Sequence, residues 1–416
     1  MRSRLQAPVF LLAACAALSG QESKVPTFEQ IIELKRPGGV ALSPDGSQVA
    51  FTVSESNWED NAYETEIFLA SSGGGAPIQL TRAKKSSSAP AWSPDGGWLA
   101  FVSDRTDKRQ LYLIHARGGE ARALTNVDEG VSGFNWSPDG KSIAFTMTET
   151  KSDAHKERDK KFGEFEVVDQ DWRMTHLHVI DVDPNATEPA KPRRVTKGTF
   201  TVGSFDWSPD GRSIAFDHRI DPNLANGGTA DISVVNVSDG AVRKLVTQDG
   251  PDSGPIWSPD GTRIVFTSAM GNPSFFYTNN RIAVVPADGG SVRTLGESFD
   301  EQASLIDWAP SGIFFAGLEN ISSRIYRLDP SSGTFAPLNV TVGSTIGGFA
   351  FNRDFTKAAF TSGDAKSFPE IHVAATSNLD GSRRLTSFGD QIKGWTVGTR
   401  EMVSWKSTDG AAIEGV

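Results

Sequence analysis

The sequence predicts an all-β protein, a seven-bladed β-propeller of four-stranded antiparallel blades, and three observations lead to this fold class. A Ser-Pro-Asp-Gly tetrapeptide occurs five times, and an apolar strand follows each copy. Each interval between copies also holds further apolar strand segments and a Gly-rich turn, which is enough for four strands. The spacing of 50, 44, 71 and 50 residues is that of propeller blades. The copies begin at Ser43, Ser93, Ser137, Ser208 and Ser258.

Each tetrapeptide has the composition of a tight turn between two antiparallel strands. Pro presets φ for a type I turn, Asp bonds to nearby backbone, and Gly accepts the exit conformation. The strand that follows, such as Ile-Ala-Phe at 143–145, is apolar at consecutive positions, which is typical of a strand covered on both sides. The aspartates of these turns are therefore predicted to be structural, and paired-carboxylate catalysis by them is not expected. They are Asp45, Asp95, Asp139, Asp210 and Asp260.

Two degenerate copies of the repeat extend the count to seven blades. Residues 307–312 (Asp-Trp-Ala-Pro-Ser-Gly) and 350–354 (Ala-Phe-Asn-Arg-Asp) each precede another apolar strand. We therefore expect the propeller to occupy residues 40–390. Because every unit supplies its own four strands, we expect side-chain packing, rather than strand exchange between the two ends, to close the ring.

The N-terminus has the features of an export signal. Residues 1–20 combine a basic start with an apolar stretch that is too short to span a bilayer, and no other transmembrane segment is expected. Leu-Ala-Ala-Cys at 12–15 resembles a bacterial lipoprotein box, in which Cys15 would carry the lipid anchor. The alternative is a secretory signal cleaved after residue 19 or 20. Both interpretations predict an exported protein, periplasmic or anchored to the outer membrane, and residues 21–39 are expected to form a segment with a short helix.

Composition narrows the partners that this protein is expected to bind. The formal net charge is −10 and the sequence has no basic cluster, which argues against nucleic acid as a partner. Cys15 is the only cysteine, so no disulfide is expected. No cofactor motif, phosphate-binding loop or Gly-x-Ser-x-Gly nucleophile elbow occurs, and no cofactor or catalytic residue is predicted. His176 and His178 share one strand face, but half-buried strand histidines are commoner than metal ligands, and no metal is expected.

The long interval in the third blade holds an insertion at residues 149–173. Its first half is almost wholly polar, and we expect it to project into solvent or over a partner surface. Its second half mixes carboxylates with aromatic residues, and loops on a rigid scaffold often carry binding residues. Such carboxylates suit a cationic group, for example a free peptide amine. The alternative is that these acids are simply solvated. The candidate residues are Glu164, Glu166, Asp169, Asp171 and Arg173.

The repeats, of the form Trp-Ser-Pro-Asp-Gly-x-x-Ile-Ala-Phe, resemble those of two groups of propellers. One is the Tol-system periplasmic protein, and the other is the prolyl oligopeptidase family of serine peptidases. Lys-Ser-Thr-Asp-Gly-Ala-Ala-Ile-Glu-Gly at 406–415 resembles the segment that opens the α/β-hydrolase domain in the peptidase family. In the third blade, Val-Val-Asp at 167–169 and Thr-His-Leu-His-Val-Ile-Asp-Val at 175–182 resemble the corresponding blade of bacterial dipeptidyl- and acylaminoacyl-peptidases. Residues 391–416 are therefore expected to begin a hydrolase domain that is truncated here.

The peptidase resemblance implies a function for the propeller. In that family the propeller restricts access to the active site to short peptides. Acidic residues on a propeller arm can bind the free amine of the substrate. By this resemblance, Glu164 and Glu166 are the first candidates for that contact. The chain without its hydrolase domain is expected to be inactive alone. The alternative is a stand-alone periplasmic propeller, similar to the Tol-system protein, that binds a protein partner. A third hypothesis is an enzyme that acts through the central pore of the propeller, but no group of residues in the sequence supports it.

Overall fold

The computed structural model describes residues 25–167, 169–339, 345–364, 366–399 and 401–416. The leader and Cys15 lie outside the described residues. Twenty-eight strands form seven four-stranded antiparallel sheets, each made of consecutive strands of the chain. The seven-bladed propeller predicted from the repeats is therefore confirmed.

The first four blades contain β1 to β16. Blade one has β1 (Arg36–Leu42), β2 (Gln48–Asn57), β3 (Ala62–Ser71) and β4 (Ile78–Gln79). Blade two has β5 (Ser87–Trp92), β6 (Trp98–Thr106), β7 (Lys108–His115) and β8 (Arg122–Ala123). Blade three has β9 (Phe134–Trp136), β10 (Ser142–Thr148), β11 (Thr175–Asp181) and β12 (Arg193–Arg194). Blade four has β13 (Thr201–Trp207), β14 (Ser213–Arg219), β15 (Asp231–Asn236) and β16 (Val242–Val246).

The last three blades and the C-terminal segment contain β17 to β30. Blade five has β17 (Asp252–Trp257), β18 (Arg263–Ser268), β19 (Arg281–Pro286) and β20 (Arg293–Leu295). Blade six has β21 (Ser304–Ala309), β22 (Gly312–Glu319), β23 (Ser322–Leu328) and β24 (Phe335–Pro337). Blade seven has β25 (Thr345–Phe351), β26 (Lys357–Gly363), β27 (Glu370–Ala375) and β28 (Asn378–Arg384). A separate hairpin pairs β29 (Val403–Lys406) with β30 (Ala412–Gly415).

The helices of the described residues lie outside the sheets. Helix α1 (Phe28–Ile32) precedes blade one, and α2 (Asp153–Phe162) lies in the blade-three insertion. Short 3₁₀ helices span Leu224–Thr229, Phe275–Tyr277 and Phe388–Ile392. Within the described residues, no helix has the length and apolar character needed to cross a membrane.

Apolar packing between neighbouring blades holds the ring together. The second strand of each blade buries a phenylalanine completely, as Phe51 and Phe145 illustrate. Seven apolar clusters lie at the seven contacts between blades. The contact between blades one and seven is one of them, and it buries Phe51 against Ile371 and Val373. Side-chain packing therefore closes the ring, as the sequence predicted.

The Ser-Pro-Asp-Gly turns share one hydrogen-bond pattern. In the turn of blade four, the Ser208 hydroxyl donates to Asp210 at 2.6 Å and accepts from the Ser213 amide at 2.9 Å. The Arg212 amide also donates to Asp210, at 3.0 Å. These hydrogen bonds hold the pKa of Asp210 below its ordinary value, the Ser208 hydroxyl contributing most. The structural role predicted for the turn aspartates agrees with these contacts.

Antiparallel pairing gives the ring two different faces. The turn face carries the five Ser-Pro-Asp-Gly turns, which join the first strand of a blade to its second. The long-loop face is the opposite one, where the second strand of each blade connects to the third. Its connections are residues 58–61, 107, 149–174, 220–230, 269–280, 320–321 and 364–369.

Candidate functional site

The chain enters and leaves the ring on the long-loop face. Helix α1 precedes the start of β1 there, and the 3₁₀ helix Phe388–Ile392 follows blade seven. The Lys35 amide donates to Gln391 Oε1 at 2.9 Å, and Gln391 Nε2 donates to the Lys35 carbonyl at 3.0 Å. The two ends of the propeller are therefore held side by side.

Exposed aromatic side chains of the described ring also gather on this face. Phe276 and Tyr277 in the blade-five loop are 78% and 91% exposed. A concentration of exposed apolar groups on one face of a protein marks an interaction surface. The others are Phe28 in α1, Trp58, Phe162, Phe165 and Trp172 in loops or the insertion, and Tyr63 at the start of β3.

The insertion, called the arm from here on (residues 149–173), contains a helix and is fastened at its base. Glu149 follows β10, and its amide donates to the Met174 carbonyl at 2.8 Å, which joins the two ends of the arm. The Glu149 carboxylate accepts a hydrogen bond from Arg194 at 2.9 Å. Arg173 donates to Glu129 at 2.8 Å and to the Glu149 carbonyl at 3.3 Å. The predicted candidate Arg173 is therefore engaged at the base of the arm.

Charged groups hold α2 against the second half of the arm. The Asp171 carboxylate accepts two hydrogen bonds from Arg158, at 2.7 and 3.0 Å, and a third from the Val167 amide at 2.6 Å. The Arg158 hydrogen bonds, followed by that from Val167, lower the pKa of Asp171 to about 2. Lys151 donates to Asp159 at 2.7 Å, and the buried His155 lies 3.6 Å from Asp159. The predicted candidate Asp171 is thus occupied by partners within the arm.

The three remaining candidates are exposed. The Glu164 side chain is 86% exposed, and its carboxylate lies 3.7 Å from Lys151 Nζ. Glu166 is exposed and lies two residues further along the same segment. Asp169 has a positive φ of 64° and accepts a hydrogen bond of 3.2 Å from Asn223, which connects the arm to the loop of blade four. The structure therefore places Glu164 and Glu166 where a ligand can reach them.

Two of the cavities among the described residues bear on this surface and on the channel. One, of about 440 Å³, is lined by Thr175 at the foot of the arm and by Pro222 and Gly227 from the blade-four loop. The other, of about 710 Å³, lies among the innermost strands of blades two to six. Both include residues from the channel side of blade four.

Sequence reasoning missed two channel-facing carboxylates, Asp206 and Asp307. Each lies two residues before the first residue of the turn that joins the first and second strands of its blade. Blades one and two have alanine at this position. Asp206 accepts a hydrogen bond from the Trp257 amide at 2.9 Å. Burial, and to a smaller extent the charge of Asp307, raises the pKa of Asp206 to about 7. Burial raises the pKa of Asp307 to about 6.

The histidines of blade three are part of the packing. Burial lowers the pKa of His176 to about 4, and its Nδ1 lies 3.1 Å from the Thr196 hydroxyl. His178 stacks on Phe145 with ring centres 5.6 Å apart. Among the residues described here, no three His, Cys, Asp or Glu side chains converge as a metal site.

Comparisons with known proteins agree with this architecture. A family model of the TolB beta propeller domain matches residues 34–171. Dipeptidyl-peptidase 5 of Porphyromonas gingivalis is 28% identical over 331 residues, covering 74% of this chain and 48% of that protein. An uncharacterized peptidase of Bacillus subtilis, YuxL, is 24% identical over 277 residues, covering 59% of this chain and 32% of that protein. The chain therefore spans half or less of the length of these two relatives.

Solved structures show the same fold. Acylaminoacyl peptidase of Pyrococcus horikoshii superposes with a TM-score of 0.70 at 18% identity, over 92% of this chain and 57% of that one. The β-propeller domain of the Trilobed protease from Pyrococcus furiosus superposes with a TM-score of 0.60 at 16% identity, over 86% of this chain and 99% of that one. The resemblance to the propellers of bacterial dipeptidyl- and acylaminoacyl-peptidases is confirmed for the propeller.

Proposed function

We propose that this chain is the substrate-gating propeller of an exported serine peptidase that acts on short peptides. The observation that carries the proposal is the arrangement of the long-loop face. The acidic arm, the exposed aromatic side chains and both ends of the propeller lie on that one face. A catalytic domain covering this face would enclose a space that only short peptides could reach.

The relatives support the peptidase assignment. Dipeptidyl-peptidase 5 is about twice as long as the part that this chain matches, which leaves room for a second domain in that protein. The hairpin β29–β30 has exposed Val403 and Trp405, and two strands alone are marginally stable in water. We propose that this hairpin opens the hydrolase domain.

In the proposed function, the arm binds the free amine of the peptide substrate. Glu164 and Glu166 are exposed carboxylates on a segment held in place by the rest of the arm. A carboxylate that accepts hydrogen bonds from an ammonium group forms a charge-assisted interaction, which is stronger than a neutral one. Such a contact favours peptides with an unblocked N-terminus.

Calorimetric titration of the chain with two probe peptides tests the amine contact. We expect Ala-Ala-Ala to bind more tightly than its N-acetylated form, and Glu164→Gln with Glu166→Gln to remove the difference. Glu157→Gln is the matched control, because Glu157 is an exposed acid on α2 at 3.6 Å from Lys160. Equal binding of the two peptides by the parent chain would contradict the amine contact.

A second experiment tests the peptidase assignment itself. A longer protein that contains this chain and a hydrolase domain is expected to cleave dipeptidyl or acylaminoacyl substrates and to react with a fluorophosphonate probe. The alternative, a stand-alone propeller that binds a protein partner, is favoured by the match to the TolB beta propeller domain over residues 34–171. Absence of a hydrolase frame downstream of Val416 in the gene would favour that alternative.

A further inference from the structure

Arg158 contacts the segment that carries Glu164 and Glu166 in three ways. Its Nη2 donates to the Phe165 carbonyl at 3.0 Å, and its guanidinium carbon lies 4.6 Å from the centre of the Phe165 ring. The same guanidinium donates twice to Asp171, whose carboxylate also accepts from the Val167 amide. The Arg158 side chain therefore holds Phe165 in place by direct contact, and it holds Val167 in place through Asp171.

We propose that Arg158 is a positioning residue for substrate recognition, which presents Glu164 and Glu166 to the ligand without touching it. The proposal rests on the proposed function of the arm as the site of the peptide amine. Glu164 and Glu166 flank Phe165, so fixing the carbonyl and the ring of Phe165 restricts the backbone on both sides. The guanidinium of Arg158 is itself largely covered, with its side chain 23% exposed.

Charge, rather than apolar packing, keeps the arm ordered. Helix α2 buries a single residue, His155, and its sequence is otherwise polar apart from Ala154 and Phe162. The charged groups around Arg158 are Asp171 at 2.7 Å, Asp159 at 4.0 Å and, further away, Glu166. Lys151 is bound to Asp159 and lies near Glu164. Loss of Arg158 therefore removes the main restraint on residues 164–167.

An arginine is required for this role because of its geometry. A guanidinium has several N–H donors in one plane, so it can bind a carboxylate with two hydrogen bonds and a carbonyl with a third. A lysine ammonium at the same position retains the charge but does not reproduce this planar fork. Arg158→Lys is therefore expected to behave more like Arg158→Met than like the parent.

The first measurement is the affinity for Ala-Ala-Ala, with N-acetylated Ala-Ala-Ala as the reference probe. We expect Arg158→Met to weaken binding of the free-amine peptide about fivefold to tenfold and to leave the acetylated peptide unchanged. In the Glu164→Gln/Glu166→Gln background, Arg158→Met should cause no further loss, because the residue acts through those carboxylates. Arg212→Met, a highly exposed arginine on the turn face, is the control and should bind like the parent.

Parent-like binding by Arg158→Met, or a further loss in the double-glutamine background, would overturn the proposal. Hydrogen exchange of the Val167 amide, which donates to Asp171, gives a readout that does not depend on the ligand. We expect exchange to accelerate at this amide in Arg158→Met, while the ring strands remain protected. Unchanged exchange would also overturn the positioning role.

The outcomes separate this proposal from the proposed function. If the glutamine variants bind Ala-Ala-Ala like the parent, the amine contact of the proposed function is wrong, whatever Arg158 does. If the glutamine variants lose affinity and Arg158→Met does not, the proposed function stands and the positioning role is wrong.

Discussion

The carboxylate of Asp206 in blade four accepts a 2.9 Å hydrogen bond from the backbone amide of Trp257 in blade five. This contact joins the innermost strands of two neighbouring blades at the channel. It also holds a carboxyl group where burial makes its charge unfavourable, so that its pKa rises from an ordinary 3.8 to about 7. The charge of Asp206 is therefore expected to change near neutral pH.

Asp206→Asn is expected to change how stability depends on pH. The unfolded chain releases the Asp206 proton near pH 3.8 and the folded chain near pH 7, so the free energy of unfolding falls as pH rises between these values. The asparagine variant has no such loss. We expect it to equal the parent near pH 4 and to be more stable by about 1–2 kcal/mol at pH 8, as measured by urea unfolding.

Asp210→Asn in the nearby turn is the matched control for Asp206→Asn. Hydrogen bonds from Ser208 and the Arg212 amide lower the pKa of Asp210, so its charged form stabilises the fold above the ordinary value of 3.8. This variant should be less stable than the parent at pH 8. A gain in stability there from both substitutions, or from neither, would contradict the assignment of opposite roles.

Asp217→Asn is expected to destabilise the protein although the two side chains have nearly the same shape. Asp217 is 8% exposed and burial raises its pKa, as for Asp206, but both of its oxygens are engaged: they accept from the Ser204 amide at 3.2 Å and the Gly254 amide at 2.9 Å. The asparagine amide would place a donor against one of these N–H groups. Leaving a buried donor unpaired costs about 1–3 kcal/mol, which urea unfolding at pH 7 would detect.

Thr146→Val provides a comparison for Asp217→Asn from blade three. Thr146 occupies the same place in its blade, one residue after the buried phenylalanine, and its hydroxyl accepts from the Gly133 amide at 3.1 Å. One lost hydrogen bond within a single blade should cost less than the disruption of a contact that joins blades four and five. A larger loss in Thr146→Val would contradict the bridging role of Asp217.

The repeats predicted the ring because their chemistry is local. Ser208, Pro209 and Asp210 form their turn with partners within five residues along the chain, so the pattern can be read from the sequence. Blade number and ring closure followed from counting these units. The same reasoning identified the arm, since an interval of 71 residues exceeds the others.

The roles of individual polar residues depended on partners distant in sequence. Asp206 binds Trp257, 51 residues away, and Asp217 binds Gly254, 37 residues away. The only sequence signal for these residues was a carboxylate at positions where several other blades have alanine or threonine. Within the arm, Arg158 binds Asp171 and leaves Glu164 and Glu166 exposed. The sequence shows only several acids close together, and it does not show which of them has a partner.

The order of the arm is expected to persist in mild acid and to be lost in strong acid. Hydrogen bonds from Arg158 hold the pKa of Asp171 at about 2, so the stabilising charge is present above pH 3.8 and disappears as pH falls through 2. Hydrogen exchange of the Val167 amide between pH 2 and 5 measures this. Asp171→Asn should already exchange rapidly at pH 5, and protection equal to the parent in that variant would show that another contact orders the arm.

Replacement of Phe276 and Tyr277 by serine should affect association and leave the fold intact. These side chains are 78% and 91% exposed, and surface changes of this kind usually alter stability by less than about 0.5 kcal/mol. Phe275 is left in place, because it lies against Gly228 and Gly250. We expect an unchanged melting temperature, reduced binding of an apolar dye, and weaker docking of a separately produced hydrolase domain.

Val242→Ser is the control for the Phe276 and Tyr277 substitutions. Val242 is 40% exposed but lies at the start of β16, toward the turn face. The Val242→Ser variant also removes an exposed apolar group, but it should leave docking of the hydrolase domain unchanged. If Val242→Ser weakened docking as much as the double serine variant, the catalytic domain would not be specific for the long-loop face. If neither substitution had an effect, the exposed aromatic residues would not contribute to that contact.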